Sequence, residues 1–209
     1  MKTIFRINVS DQRKQLILRV DEEMGIEKYR GYVLFDDSDY TDYPNWKWRG
    51  KALHFTLRRG VEEISPEHIL QLFESTDCDH LVWFSKRIGE GELVHMLLVY
   101  AHELRHVLQD TLYPGLSGMT EPLRNSLRGG AAQRPTSFQI EMPQEFDAEL
   151  AARDVVVKIL GDEEYRTYRR REEAASPKAT NYFRRFDELT AHWSGDPIAE
   201  TRRIWSLCL

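Results

Sequence analysis

Apolar residues recur at helical spacing over two long segments in the middle of the chain. The first predicts a single helix from about Glu92 to Thr111, with apolar positions at Leu93, Val94, Leu97, Leu98, Ala101, Leu104 and Leu108. The second predicts a helix from Pro143 to Leu160. Two or three further charged helices are predicted over residues 162–206, with breaks at Ser176-Pro177 and at Gly195-Asp196-Pro197.

The first ninety residues instead carry short apolar runs bounded by Gly, Asp or Pro, a pattern that is typical of strands. These runs are Ile4–Val9, Gln15–Val20, Tyr32–Phe35, Leu53–Arg58 and His80–Ser85. Ser65-Pro66 predicts the start of a helix that continues to about Ser75. Residues 114–142 are rich in Gly, Pro, Ser and Arg without a clear period, which predicts a long loop.

Composition and charge are those of an ordinary globular protein. Hydrophobic residues make up 41% of the 209 positions, enough for a sizeable core, and the net charge of −5 gives no global reason to expect nucleic acid as a partner. Arginine runs such as Arg169–Arg171 alternate with acidic residues, which predicts ion pairs on helix surfaces.

Several features predict a cytoplasmic protein without a membrane partner. The chain shows no signal-peptide pattern, and its most apolar stretch, residues 93–101, is too short to span a bilayer. Cys78 and Cys208 have neither metal-binding nor redox spacing.

The helix predicted at 92–111 carries the motif His102-Glu103-Leu104-Arg105-His106. Residues four apart lie on one face of a helix, about 6 Å apart along its axis, so both imidazoles can bind one Zn²⁺. Glu103 lies about 100° further around the helix, where its carboxylate reaches a water activated by the metal. The motif therefore predicts His102 and His106 as ligands and Glu103 as general base. The alternative is a helix with two surface histidines and a glutamate.

A catalytic zinc needs a third protein ligand and an open fourth position. A third histidine six residues after His106 is excluded, because Leu112 occupies that position. The helix that begins at Pro143 offers Glu145 and Glu149, four residues apart on one face. Glu145 is the predicted third ligand, and Glu149 is either its rival or the acceptor of an outer N–H of a ligating histidine. Spacing alone leaves this choice open, along with the alternative of a solvated acidic first turn.

Together, His102-Glu103-x-x-His106 and Glu145-x-x-Ala148-Glu149 resemble the gluzincin pattern, in which a helix bearing Glu-x-x-Ala-Asp or Glu-x-x-Ala-Asn follows the histidine helix. The compact versions, the ImmA/IrrE-like metallopeptidases and the minigluzincins, have a small sheet before the active-site helix. The resemblance covers about residues 80–160 and implies a zincin-like α+β fold with zinc-dependent peptidase activity. The chain departs from the pattern at Glu149 and in its longer connection between the two helices. The stretch His106-Val107-Leu108-Gln109 is also similar to peptidase-like domains with His-Glu-x-x-His-x-x-Gln.

Pattern and resemblance together predict one compact domain. Residues 1–90 would form an N-terminal α/β portion with a small β-sheet, residues 91–160 the zincin catalytic core with its glutamate-bearing helix, and residues 161–209 a C-terminal helical portion. The segment 113–142 is a candidate lid over the core.

The resemblance also implies a late His or Tyr that stabilises the oxyanion, for which the candidates are His192, Tyr113 and Tyr165. Three arginines of the predicted loop are candidates for binding an acidic or carboxylate-bearing substrate, namely Arg124, Arg128 and Arg134. A solvated loop is the alternative for these arginines.

The sequence thus predicts a zinc metallopeptidase, with Zn²⁺ as cofactor and a peptide or protein as substrate. The resemblance suggests a regulatory intracellular protease. A non-peptidase zinc amide hydrolase and a non-catalytic, zinc-stabilised interaction or DNA-associated protein are the alternatives. A regulatory protein partner that activates a latent site is also left open.

Overall fold

A mixed β-sheet forms the framework of the N-terminal part of the chain. The computed structural model describes residues 1–38, 52–56, 79–128 and 140–208. Within these residues the strands are β1 (Lys2–Phe5), β2 (Gly31–Phe35), β3 (Ala52–Thr56) and β4 (His80–Phe84), and they lie in the order β1-β2-β4-β3. Strands β1, β2 and β4 are parallel, and β3 pairs antiparallel with β4 at the edge.

The strands predicted at Tyr32–Phe35 and His80–Ser85 are confirmed, and so is the one at Leu53–Arg58 up to Thr56, where the described residues of this segment end. The strand predicted at Ile4–Val9 is only partly right, because β1 begins at Lys2 and its pairing with β2 ends at Phe5. The helix predicted from Ser65 to Ser75 lies outside the described residues.

The central strands are buried on both faces, as parallel strands usually are. All residues of Val33–Phe35 and Leu81–Phe84 are fully buried. Aromatic rings stack across the sheet, with the ring centroid of Phe35 lying 5.1 Å from that of Phe5 and 4.9 Å from that of Phe84. The sheet is therefore a closely packed support for the helices that follow.

A helix, α1 (Asp11–Met24), forms where the run Gln15–Val20 predicts a strand. The hydroxyl of Ser10 caps its start by accepting from the Arg13 N–H at 3.4 Å. The strand prediction is wrong because the run Leu16-Ile17-Leu18 hides the helical spacing of the buried positions. Leu18, in the middle of the predicted strand, is 48% exposed.

The helix predicted from Glu92 to Thr111 is confirmed as α3 (Leu93–Leu112), which follows the short helix α2 (Lys86–Gly89). The carboxylate of Glu92 accepts from the backbone N–H of His95 at 2.7 Å and so caps the first turn. The structure therefore contains the helix on which the predicted histidine pair depends.

One face of α3 packs on the sheet through Tyr100. This ring is fully buried, and its centroid lies 5.3 Å from that of Phe84 and 5.7 Å from that of Phe35. Further buried residues of this face follow at helical spacing, among them Val94, Leu97, Ala101, Leu104 and Leu108. Because this stripe packs into the core, His102 and His106 on the opposite side of the helix are only half-buried.

By its internal contacts the chain divides into two compact units, residues 1–107 and 108–209, with the boundary inside α3. The second unit contains α4 (Leu116–Arg128), α5 (Pro143–Leu160), α6 (Asp162–Ala175), α7 (Pro177–Thr190) and α8 (Pro197–Cys208). These bounds confirm the helix predicted from Pro143 and the later breaks near residues 176 and 195.

Helix α5 is the central element of the helical unit and contacts α4, α6 and α8. Its residue Phe146 belongs to a buried cluster with Ile140 and Phe186. The ring of Phe146 lies 5.5 Å from that of Phe186 and 4.9 Å from that of Trp193, between centroids. Aromatic packing therefore holds the N-terminal half of α5 in place.

Helix α4 corrects the prediction that residues 114–142 form a loop, because residues 116–128 are helical. Its buried residues Leu116, Thr120 and Leu123 are spaced four and three apart, as on one helical face. The sequence conceals this period because Gly118 and Pro122, both usual helix breakers, stand inside it. Residues 129–139 lie outside the described part of the chain.

The predicted ion pairs on the helix surfaces are present. Arg169 contacts Glu173 at 2.9 Å and Asp187 at 2.7 Å, and Arg184 pairs with Glu188. In the described residues the chain is mostly helical with a small sheet, which confirms the α+β class. None of the described helices is both long enough and apolar enough to cross a bilayer.

Candidate metal centre

His102 and His106 lie one turn apart on α3, on the side away from Tyr100. Their Nε2 atoms are 3.0 Å apart, and the ring planes meet at 86°. Around a tetrahedral zinc with bonds of about 2.0–2.1 Å, two ligand nitrogens lie about 3.4 Å from each other. The two imidazoles are therefore arranged so that a small adjustment would let both bind one cation.

Glu145 completes a group of three potential ligands. His102, His106 and Glu145 each offer one donor atom, and these atoms all lie within 4.8 Å of one another. All three residues are half-buried. Two imidazoles and one carboxylate form a ligand set of catalytic zinc sites that keeps a fourth position open. The residues that the sequence predicts as ligands are thus brought together in a set that fits Zn²⁺.

The position of Glu145 follows from how α5 begins. Pro143 occupies the first turn, where a missing N–H breaks no helical hydrogen bond. Gln109, near the end of α3, donates from Nε2 to the carbonyl oxygen of Gln144 at 2.8 Å and to Oδ2 of Asp147 at 2.7 Å. Because these acceptors flank Glu145 in the sequence, they fix the first turn of α5 against the C-terminal end of α3.

Arg124 on α4 contacts the carboxylate of Glu145. Its Nη2 donates to Oε1 at 2.9 Å, and each of the two side chains is 19% exposed. A carboxylate can bind a cation through one oxygen while the other accepts a hydrogen bond, so this contact is compatible with ligation. In the structure Arg124 is thus a partner of the third candidate ligand, and its predicted role in substrate binding stays a prediction.

Glu103 lies between the histidine side of α3 and its buried apolar side. At about 100° per residue, it is about 60° beyond His106 around the helix axis, at the edge of the buried stripe that includes Leu104 and Val107. It is half-buried, like the two histidines. Glu103 is thus next to His106 around the helix axis and is not one of the three candidate ligands.

Glu149 takes part in a different contact. It is not in the ligand group, and its carboxylate accepts a hydrogen bond from the hydroxyl of Tyr182 on α7. Burial, together with the nearby charge of Glu149, raises the pKa of Tyr182 well above its usual value. Of the two glutamates that spacing left open, the described residues therefore bring Glu145 to the histidines.

The candidate oxyanion stabilisers lie in three different surroundings. Tyr165, in the first turn of α6, is buried, and this burial raises its pKa to about 12. Tyr113 directly follows α3 and is half-buried, and its backbone N–H donates to the carbonyl oxygen of Gln109 at 2.9 Å. His192 follows α7 and is exposed. Their role at an oxyanion stays a prediction.

The other two arginines of the predicted substrate site are Arg128 and Arg134. Arg128 is the last residue of α4, and Arg134 lies outside the described residues. Binding of an acidic substrate by these arginines stays a prediction.

Sequence reasoning missed the contact of Gln109 with Asp147. A signal for Gln109 was present, because it lies seven residues after His102 and so continues the histidine face of α3. Asp147 gave no comparable signal, since the sequence does not separate it from the other acidic residues of α5. Its burial, at 5% exposure, distinguishes it from them.

Comparisons with protein-family models, with curated proteins and with solved structures each gave no significant match to this chain.

Proposed function

We propose that the chain is a zinc-dependent metallopeptidase with a zincin-like fold. The observation that supports this proposal is the group of His102, His106 and Glu145, with Glu103 on the same helix beside the first histidine. A structural zinc site has no need of the adjacent carboxylate, so the position of Glu103 favours catalysis over a purely structural metal.

In this proposal, the two histidines and Glu145 hold the cation. Zn²⁺, when bound there, lowers the pKa of a water to about 7 and polarises the carbonyl of the substrate. Glu103 takes a proton from the attacking water as its oxygen bonds to the carbonyl carbon. The C–N bond then breaks, and Glu103 delivers the proton to the leaving amine. Arg124 donates to one carboxylate oxygen of Glu145 and so orients this ligand.

Metal content tests the ligand set. The zinc affinity of His106→Ala should fall more than about 100-fold, beyond the 10–100-fold that outer partners typically contribute. His95→Ala is the matched control, because His95 lies on the same helix outside the ligand group. On α5, Glu145→Gln should lose zinc and Glu149→Gln should retain it. Equal zinc in the wild type, His106→Ala and Glu145→Gln would contradict this ligand set.

Peptide hydrolysis tests the reaction. With a library of peptide substrates, Glu103→Gln should lower kcat about 10²–10⁴-fold, since it removes the proton acceptor. Its zinc content should equal that of the wild type. If the protein cleaved only non-peptide amides, it would be an amide hydrolase of another kind and not a peptidase. A zinc-loaded wild type without hydrolytic activity on either substrate class would favour a non-catalytic zinc protein.

A further inference from the structure

The buried side-chain amide of Gln109 makes two hydrogen bonds to α5, although one partner would be enough for a buried polar group. It is 1% exposed, and its single amide nitrogen donates both to the Gln144 carbonyl oxygen at 2.8 Å and to Asp147 Oδ2 at 2.7 Å. Gln144 and Asp147 are themselves buried, at 9% and 5% exposure. A planar amide with two N–H groups therefore connects α3 to two successive points in the first turn of α5.

The acceptors of Gln109 lie on either side of Glu145 in the sequence. One is the backbone carbonyl of the residue before it, and the other is the side chain of the residue two positions after it. Packing of Phe146 against Phe186 and Trp193 holds α5 on one side, and the two bonds from Gln109 fix the distance and rotation of its first turn relative to the end of α3. Rotation of α5 is the motion that would carry Glu145 towards or away from a cation.

Gln109 also lies on the correct face of α3. It follows His106 by three residues and His102 by seven, so the three side chains form one stripe along the helix. The same helical face thus bears both candidate nitrogen ligands and the group that orients the helix of the third ligand.

We infer that Gln109, through its paired hydrogen bonds to α5, is the positioning residue that sets Glu145 as the third ligand and so determines the affinity of the cation site. This inference rests on the proposed function, because it assumes that Glu145 binds the cation. Gln109 itself does not ligate. Its effect is expected in the strength and geometry of metal binding.

Cobalt binding to the full chain tests this role, because the intensity of Co²⁺ visible absorption reports coordination number and geometry. Gln109→Met keeps the size of the side chain and removes both donors. It should weaken Co²⁺ and Zn²⁺ binding about 10–100-fold, the range found for partners that orient ligands, and should alter the cobalt spectrum. Gln109→Asn, one methylene shorter, is a second variant that cannot reach both acceptors and should show the same change.

A matched control separates positioning from a general loss of stability. Thr201→Val removes another buried hydrogen bond of the helical unit, from Thr201 Oγ1 to the Pro197 carbonyl oxygen at 2.7 Å. It should lower the thermal unfolding temperature and leave the cobalt spectrum unchanged. Wild-type affinity and spectrum in a folded Gln109→Met or Gln109→Asn would overturn the inference while leaving the metal site intact. If His106→Ala gave the same cobalt spectrum as the wild type, the proposed metal site itself would be overturned.

Discussion

At the scale of single residues, Asp21 is a side chain whose ionisation opposes folding. Its Oδ1 accepts from the hydroxyl of the buried Tyr100 at 2.6 Å. Burial raises the pKa of Asp21 from 3.8 to about 6, although the Tyr100 hydrogen bond works in the other direction. Between about pH 4 and pH 6 the folded chain holds a proton that the unfolded chain has released. The free energy of unfolding therefore falls as the pH rises through this window. Above it, the full cost of burying the ionised Asp21 carboxylate is present.

Replacing Asp21 with Asn should remove this cost and keep an acceptor for Tyr100. At pH 7.5 the free energy of unfolding of Asp21→Asn should exceed that of the wild type by about 1–3 kcal/mol, and the difference should vanish below about pH 4. Urea unfolding from pH 3.5 to pH 8 measures it. Asp11→Asn is the control, because Asp11 is an exposed acidic residue on the same helix. A gain that does not depend on pH would contradict this assignment.

The ligand residues could be predicted at this scale because their geometry is local. His102 and His106 are related by one helical turn, and the sequence fixes that relation once the helix is recognised. The contact of Gln109 with Asp147 joins residues 38 positions apart. It depends on how α5 lies against α3, which no spacing within either helix determines.

At the scale of elements, prediction succeeded where the apolar period continued long enough to exclude other structures. Helices α3 and α5 contain 20 and 18 residues, and their patterns cannot be fitted by a strand. The sequence of α1 predicts a strand because three adjacent apolar residues fit both periods. Helix α4 was missed because Gly118 and Pro122 weaken its local propensity, and packing of Leu116 and Leu123 overrides that weakness.

Two glycines provide a test of these local rules. Gly25 ends α1 with φ at 64°, and a Cβ there would meet no atom within 4 Å. Gly25→Ala should therefore lower the free energy of unfolding by about 1–2 kcal/mol through backbone conformation alone. Gly118 lies exposed inside α4, also with nothing within 4 Å of a Cβ. Gly118→Ala should raise the free energy of unfolding by about 0.5–1 kcal/mol.

Chemical unfolding of the two alanine variants beside the wild type measures both changes in the free energy of unfolding. Both substitutions add one methyl group in open space, so a common effect of side-chain size would shift both variants in the same direction. Stabilisation by Gly25→Ala would contradict the left-handed cap of α1, and a loss of stability in Gly118→Ala would contradict the helical conformation of α4.

At the scale of the whole molecule, the α+β class could be predicted and the arrangement within it could not. The strand order β1-β2-β4-β3 depends on which strands pair over long sequence separations, and short apolar runs do not encode their neighbours. The division at residue 107 falls inside a continuous helix, where no Gly, Pro or Ser-rich stretch marks a boundary. The sequence can therefore indicate a boundary between units where a linker separates them. It does not indicate one that falls inside a continuous helix.

The proposed site has a consequence for the stability of the whole chain, because a cation that binds only the folded state raises the free energy of unfolding. At a free zinc concentration 100 times the dissociation constant, this gain is about 2.7 kcal/mol. For a chain of about 200 residues, 1 kcal/mol corresponds to about 2–4 °C in Tm. Zinc should therefore raise Tm by about 5–10 °C, a chelator should reverse the shift, and scanning calorimetry with buffered zinc measures both. His95→Ala should keep the shift and His106→Ala should lose it. If both variants responded equally to zinc, the gain would come from adventitious sites, and the three-residue centre could not be its source.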